Sequence, residues 1–313
     1  MTGRAMTLRE AQNEGRAVLR QAGIESYALC AALLLAHVLN TDKTAIFVNA
    51  EREIQWHDYK KYQTLLSRRV NGECTAYITN KKEFRFLELY VDKNVLVPRP
   101  DTEILVEAAL LRIDELQKIK NSITVLDMCT GSGAVALSLK HEKPFIHAYA
   151  SDISAAALAV SKRNAEKYGM QNEIQFIQSD VYKSITRRFD IIVSNAPYIP
   201  CEVIKTLSAE VRNEPLIALD GGKDGLEIIS RVISGAEKHL FASGSILLEA
   251  SPEQMEKIIG LLKTAGFENI KINKDLSGAD RVIGASLPPP PHSRGGGGGG
   301  YKKEINPKAP RFL

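Results

Sequence analysis

Val125-Leu126-Asp127-Met128-Cys129-Thr130-Gly131-Ser132-Gly133 is the stretch on which the fold class turns. An apolar run of strand length breaks into a turn with two glycines, and a helix-forming stretch begins near Gly133. Gly131 and Gly133 can take positive φ angles closed to other residues and let the backbone approach a ligand. The turn therefore suits a nucleotide-like cofactor. Reading outward, further apolar runs predict strands over 123–127, 146–152, 174–179, 189–194, 244–249, 269–273 and 281–285. Helices are predicted to start near Gly133, Ser154, Asp224 and Pro252. This alternation implies an α/β fold with a doubly wound, mainly parallel sheet. Ligands of such sheets sit beyond the carboxyl ends of the strands. Gly131, Asp152, Asp180 and Asn195 all fall at or just after strand ends, so one cleft can collect them.

Upstream of the sheet, residues 7–72 read as helical. Leu8, Val18, Leu19, Ile24, Leu29, Leu33, Leu34, Leu35, Val38 and Leu39 recur at three- and four-residue spacings. Asp42 and Thr44 mark a cap or turn, and 56–70 is a further helical stretch. Residues 1–72 are thus expected to form a small helical bundle with no chemistry of its own. Asn71-Gly72 punctuates a change to strand. Residues 75–79 and 84–91 are expected to form a hairpin around Asn80-Lys81-Lys82, giving a connector over 73–95. Residues 97–101 then lead into a long helix over 102–118, whose acidic start, Asp101 and Glu103, suits a helix N-terminus. The sheet domain is expected over 96–286. Residues 287–313 carry a proline run, a glycine run and a basic end, a composition that cannot bury enough apolar surface to fold alone. A cloning scar, a frameshifted end and a natural disordered tail all fit it.

The 313 residues carry a formal charge of +4, from 41 basic and 37 acidic side chains. The tail holds Arg294, Lys302, Lys303, Lys308 and Arg311 against Glu304 alone, which accounts for the whole excess. A neutral body argues against a broad duplex-DNA surface, because phosphate neutralisation supplies most sequence-independent affinity. Cys30, Cys74, Cys129 and Cys201 are scattered without paired spacing, so reduced thiols are expected rather than disulfides or a metal site. No run approaches the roughly 18–20 apolar residues of a membrane span. The N-terminus lacks a signal-peptide pattern, and a cytoplasmic location is expected.

Asn195-Ala196-Pro197-Tyr198 follows the apolar run at 189–194. A strand ending this way offers a side-chain carboxamide, a backbone carbonyl held by the next proline, and an aromatic face. Together these can grip a planar NH2 group. The Asn195 oxygen and the Ala196 carbonyl could hold the two N–H groups of an amide, hindering delocalisation of its lone pair and stabilising developing positive charge. Tyr198 would pack the flat group, and Pro197 fixes the loop. That is the chemistry of methyl transfer to an amide or exocyclic base nitrogen, which needs no metal. Asp152, about 20 residues beyond the turn, can accept from both hydroxyls of a ribose or serve the helix that begins at Ser154. Arg99, between Pro98 and Pro100, could meet a ligand carboxylate or a structural partner.

Four segments occur here in the order seen in the release-factor glutamine methyltransferases, which the chain resembles over roughly residues 7–285. They are Val97-Pro98-Arg99-Pro100-Asp101-Thr102-Glu103, the Gly-rich turn, Asn195 to Tyr198, and Lys274-Asp275-Leu276-Ser277-Gly278-Ala279-Asp280-Arg281. The resemblance implies the seven-stranded class I methyltransferase sheet, with its last strand pair antiparallel. It implies S-adenosylmethionine as cofactor, held by Cys129, Thr130, Gly131, Ser132, Gly133, Asp152, Asp180, Val181 and Asn195. Asp180 would lie by the adenine with Val181 lining its face, although an ordinary capping role also fits Asp180. Asn195, Ala196, Pro197 and Tyr198 would be the catalytic and substrate-binding residues, and Arg99, Pro100 and Glu103 would lie over the pocket as a lid. The implied reaction is N5-methylation of the glutamine in the Gly-Gly-Gln loop of peptide-chain release factors, with the helical bundle as docking surface. Two departures stand out: Cys129 replaces a frequent glycine, and Ala196 replaces a usual proline. A DNA amino-methyltransferase would use the same Asn-x-Pro-Tyr logic on a flipped base but needs a basic face. A cofactor-binding module weakened by Ala196 is a third reading.

Overall fold

The computed structural model describes residues 6–289. Helix α1 (Leu8–Gln21) opens with a capping box, in which Thr7 and Glu10 satisfy each other's backbone N–H groups. It packs with α2 (Tyr27–Val38), α3 (Lys43–Val48, capped by Asp42) and α4 (Trp56–Val70). Leu8, Leu19, Leu34, Leu35, Ile46 and Tyr62 form the buried centre of this bundle.

The expected strand over 75–79 is instead a short helix, α5 (Thr75–Thr79). Its β-branched residues favour strand, but the Cys74 sulfur accepts from Tyr77 N–H and Ile78 buries itself against the bundle. Tertiary packing overrides propensity here. The hairpin lies just beyond, as β1 (Lys82–Phe84) and β2 (Leu87–Leu89). Its turn is at Arg85-Phe86, not Asn80-Lys81-Lys82. Arg85 takes φ 49° there, with its N–H on Glu103 and its guanidinium on Glu142. Asn80, with φ 54°, ends α5.

After α6 (Thr102–Gln117) the chain alternates as expected: β3 (Thr124–Met128), α7 (Ala134–Glu142), β4 (His147–Asp152), α8 (Ala155–Lys167), β5 (Ile174–Gln178) and β6 (Phe189–Ser194). Two short helices, α9 (Cys201–Ile204) and α10 (Ala209–Arg212), and a 3-10 turn (Leu216–Ala218) follow β6. Then come α11 (Glu227–His239), β7 (Leu240–Glu249), α12 (Met255–Thr264), β8 (Glu268–Lys274) and β9 (Asp280–Ser286). The strands form a seven-stranded sheet in the order β5-β4-β3-β6-β7-β9-β8. The pairings from β5 to β7 are parallel, and those of β9 with β7 and β8 are antiparallel.

Period-two alternation sorts the strand residues between two cores. Val125, Ile191 and Val193 face α6 and α7, whereas Leu126 and Ile192 face α11 and α12; Phe189 joins the second group because a β-bulge separates it from Ile191. Each such fully buried side chain contributes about 1.5–3 kcal/mol relative to exposure. The order of strands reverses between β3 and β6, and a crevice opens at that switch point beyond their carboxyl ends. Of the tail, residues 290–313 lie outside the described residues. Leu287 is buried and gives its N–H to the Gly244 carbonyl at 2.9 Å, so packing continues past β9. Among the described residues no helix is long and apolar enough to cross a membrane.

Candidate active site

A cavity of about 560 Å³ occupies the crevice, a size suited to a small-molecule ligand. On its β3 side the backbone turns through Cys129, Gly131 and Gly133, all at positive φ. Nothing stands within 4 Å of the place where a side chain at Gly131 would begin, so the cavity reaches the backbone there. Gly133 is different: a Cβ would strike Ser161 Oγ at 2.3 Å, so this glycine seats the turn on α8 rather than lining the cavity. Asp127 is buried beneath the turn, holding Thr130 Oγ1 (2.6 Å) and Ala136 N–H (3.0 Å) on one oxygen. Burial pushes its carboxyl up to about 7. Its other oxygen is buried with no partner among the described residues, and Asp127 is one of the residues around the cavity. Burial likewise drives the Cys129 thiol up to about 12, which keeps it protonated and unreactive.

Asp152, at the end of β4, accepts from Gly131 N–H and Ser154 N–H, each at 2.9 Å. The cap of α8 is Ser154 itself, whose hydroxyl oxygen accepts from Ala157 N–H. Burial raises the Asp152 carboxyl, against the pull of those N–H groups. Asp180 and Val181 line the far wall. Val181 takes φ 51°, and Asp180 meets Arg231 at 2.7 Å in a half-exposed pair. Thr130, Gly131, Ser132, Asp152, Asp180, Val181, Cys129 and Asn195 thus share one cavity.

On the β6 side, Asn195 and Pro197 line the cavity, whereas Ala196 and Tyr198 do not. The Ala196 side chain is 1% exposed, inside the core shared with α11 and α12. Asn195 donates its Nδ2 to Thr102 Oγ1 at 3.0 Å, which occupies the amino end of its carboxamide. The Tyr198 hydroxyl donates to Glu249 Oε1 at 3.2 Å, and the Tyr198 carbonyl accepts from Gln254 Nε2 at 2.9 Å. Asp220-Gly221-Gly222 runs alongside this loop: Ile199 N–H meets Leu219 O, and Gly221 N–H meets Ile199 O. A Cβ on Gly221 would approach the Pro197 carbonyl to 2.8 Å, so the close fit demands glycine.

The segment ahead of α6 reaches the cavity through Asn94, Val95, Leu96 and Pro98, and α6 through Thr102, not through Arg99, Pro100 or Glu103. Arg99 instead pairs with the buried Glu214 at 2.5 Å, and Glu214 also accepts from Val97 N–H. Glu103 turns away to Arg85 N–H, and Pro100 is exposed. Two further links tie the same rim to the helices: Arg69 meets Glu210 at 2.5 Å, and Asn213 Nδ2 meets Gly72 O at 2.9 Å. Sequence reading missed Thr102 and Asp127 as parts of the site. Asp127 carried a signal, an acid inside an apolar strand just before a Gly-rich turn.

Residues 10–79 match the family described as the PrmC N-terminal domain, and residues 104–211 match the methyltransferase small domain. The release factor glutamine methyltransferase of Clostridium acetobutylicum is 37% identical over 282 residues, covering 89% of this chain and 98% of that protein. That of Agrobacterium fabrum is 35% identical, covering 85% and 92%. That of Buchnera aphidicola is 38% identical, covering 80% and 90%. Among solved structures, the hMettl16 catalytic domain in complex with an RNA hairpin superposes with a TM-score of 0.53 at 14% identity, over 71% of this chain and 82% of that one. That likeness shows the class I methyltransferase fold and no more. With whole-length relatives at this identity, the chain belongs to the release factor glutamine methyltransferase family.

Proposed function

We propose that the protein transfers a methyl group from S-adenosylmethionine to the side-chain amide nitrogen of the glutamine in the Gly-Gly-Gln loop of a peptide-chain release factor. The observation that carries this reading is the position of Asn195. Asn195 lines the same cavity as the Gly131 turn and Asp152, on the opposite side of the switch point, with its Nδ2 held by Thr102.

The residues present fit the cofactor. Gly131 leaves the backbone open to close approach, Asp127 Oδ1 is a buried acceptor with no partner among the described residues, and the Asp152 carboxylate has lone pairs left after its two backbone contacts. The bound cofactor supplies an electrophilic methyl on a sulfonium. Everything else falls to this chain. Asp152 holds the ribose hydroxyls, and Asp180 with Val181 borders the base. Asn195 Oδ1 accepts an amide N–H group and aims the nitrogen at the methyl, whereas Ala196, 1% exposed and outside the cavity lining, holds the loop from the core side. The carboxamide dipole stabilises positive charge as the N–C bond forms. The proton then leaves the nitrogen for solvent, so no dedicated base is required. Tyr198 shapes the loop from below, through its bonds to Glu249 and Gln254, rather than from within the cavity.

The test is mass spectrometry of a purified release factor after incubation with the protein and S-adenosylmethionine. The Gly-Gly-Gln peptide should gain the mass of one methylene group, located on glutamine by fragmentation. Methyl transfer to duplex DNA, with the release factor untouched, would overturn the proposal. Cofactor binding without any transfer would do the same.

A further inference from the structure

Leu216 and Ile217 stand 61% and 54% exposed on the 3-10 turn after α10, and both line the active-site cavity. A single exposed leucine is ordinary on a protein surface. Two neighbouring bulky apolar side chains at the mouth of a cavity are not, because the chain around them is firmly held. Ahead of the turn, Glu214 is buried and bonded to Arg99 at 2.5 Å and to Val97 N–H at 3.0 Å. Behind it, Leu219 is buried and its carbonyl accepts from Ile199 N–H at 3.0 Å. Within it, Leu219 N–H and Asp220 N–H both reach the Leu216 carbonyl, at 3.0 and 2.9 Å. The turn thus keeps its two apolar side chains half in solvent instead of folding them into the core.

The turn belongs to the Asn195 side of the cavity. Asp220, which also lines it, bridges in parallel to Ile199, and Gly221 N–H meets the Ile199 carbonyl at 2.9 Å. Leu216 and Ile217 are therefore tied to the loop that carries Asn195 and Pro197, whereas Gly131 and Asp152 stand beyond the ends of β3 and β4. A protein substrate whose glutamine enters here must lay the neighbouring chain over the mouth. In a Gly-Gly-Gln loop that chain is bare backbone, with little apolar surface beyond the glycine Cα atoms and the glutamine methylenes. Side chains to cover it must come from the enzyme. We propose that Leu216 and Ile217 form an apolar lip against which the Gly-Gly-Gln loop of the release factor packs, setting the affinity for the protein substrate. This rests on the functional reading above, which supplies the occupant.

Neither side chain can hydrogen-bond the reacting amide, so the contact is made equally before and during methyl transfer. It belongs in KM for the release factor and not in kcat. Covering the exposed half of a leucine or isoleucine side chain corresponds to roughly 3–15-fold in affinity for each residue. Leu276, fully exposed at the β8–β9 turn and outside the cavity lining, is the matched control.

The experiment measures KM for the release factor, kcat and S-adenosylmethionine affinity for wild type, Leu216→Ala, Ile217→Ala, the double variant, Leu216→Met and Leu276→Ala. Each alanine at the lip should raise KM roughly 3–15-fold, with kcat and cofactor affinity kept within about threefold. Leu216→Met, which conserves apolar volume, should stay within about twofold of wild type, as should Leu276→Ala. An unchanged KM in the double variant overturns the proposal. So does a loss of cofactor affinity as large as the rise in KM, because the turn would then cover the cofactor. An equal rise in Leu276→Ala overturns it as well. Should wild type itself not methylate the release factor, the functional reading fails instead. The lip is then judged by titrating the release factor onto the cofactor-loaded protein. The double variant should bind roughly tenfold more weakly or worse, and equal binding, or none by either protein, overturns the lip too.

Discussion

Asp152 accepts a 2.9 Å hydrogen bond from the backbone N–H of Gly131, joining the ends of two adjacent strands across the floor of the cavity. The same carboxylate orders the entry to α8 through Ser154 N–H. One side chain thus shapes the turn and offers the ribose its acceptor. Asp152→Ala should weaken S-adenosylmethionine binding by about 1.5–3 kcal/mol, the range for hydrogen bonds to a charged group. Titration calorimetry reads this directly, and an unchanged dissociation constant would remove Asp152 from the cofactor site.

Asn195→Ala deletes the side-chain acceptor facing the cavity from the β6 side but leaves the Gly131 turn and Asp152 in place. Methyl transfer should be abolished, with cofactor affinity kept within about a factor of three, as expected for a group that acts on the transition state. Normal methylation by this variant would reduce the Asn-x-Pro-Tyr segment to a strand-ending turn.

Ala196→Pro should keep or raise the turnover rate. The Ala196 N–H takes part in none of the turn and loop hydrogen bonds of the described residues, so losing it removes no such contact. A proline that fits without strain stabilises by about 0.4–1 kcal/mol by restricting the unfolded chain. The ring must be accommodated in the core where the alanine side chain lies at 1% exposure. A fall in both melting temperature and rate would show that this core has closed around the smaller residue.

Stability should fall as pH rises from about 5 to 8. Asp127 and Glu249 are both raised to about 7 by burial. Between their unfolded and folded pKa values the native state holds protons that the unfolded chain has released, which favours the native state at the acidic end. That contribution is complete below the unfolded values and is lost as pH passes through the folded ones. Each group accounts for about 1–3 kcal/mol of this change. Melting temperatures across pH for wild type and for Glu249→Gln should therefore diverge, with the flatter profile in the variant. Parallel profiles would contradict the assignment.

The sheet was legible because each central strand is a short apolar run bounded by turn residues, and because buried parallel strands tolerate little else. β7 was read from Gly244 but begins at Leu240. Its first residues, interrupted by Ser243 at φ 61°, lack that apolar continuity and pair with β6 only across a bulge. The hairpin was misplaced for a related reason. Asn80-Lys81-Lys82 has turn chemistry, yet the turn at Arg85-Phe86 is held by Glu103 and Glu142, partners that no local window contains. Gly131, Asp152 and Asn195 could be picked out because strand ends in a doubly wound sheet converge by topology. Thr102 could not. It reads as a helix start, and only the folded chain sets it beside a residue at position 195.

Glu210, Asn213 and Glu214 lie within five residues of one another, just ahead of the cavity-lining Leu216, Ile217 and Ala218, and each reaches back to the first third of the chain, at Arg69, Gly72 and Arg99. The helices and the rim are thereby braced into a gauge of set reach. A folded protein resting on those helices would bring its glutamine to Asn195 at a distance already determined by the enzyme. A short peptide with the same glutamine touches only one jaw of that gauge, and the whole entropic cost of ordering it falls on the cavity alone.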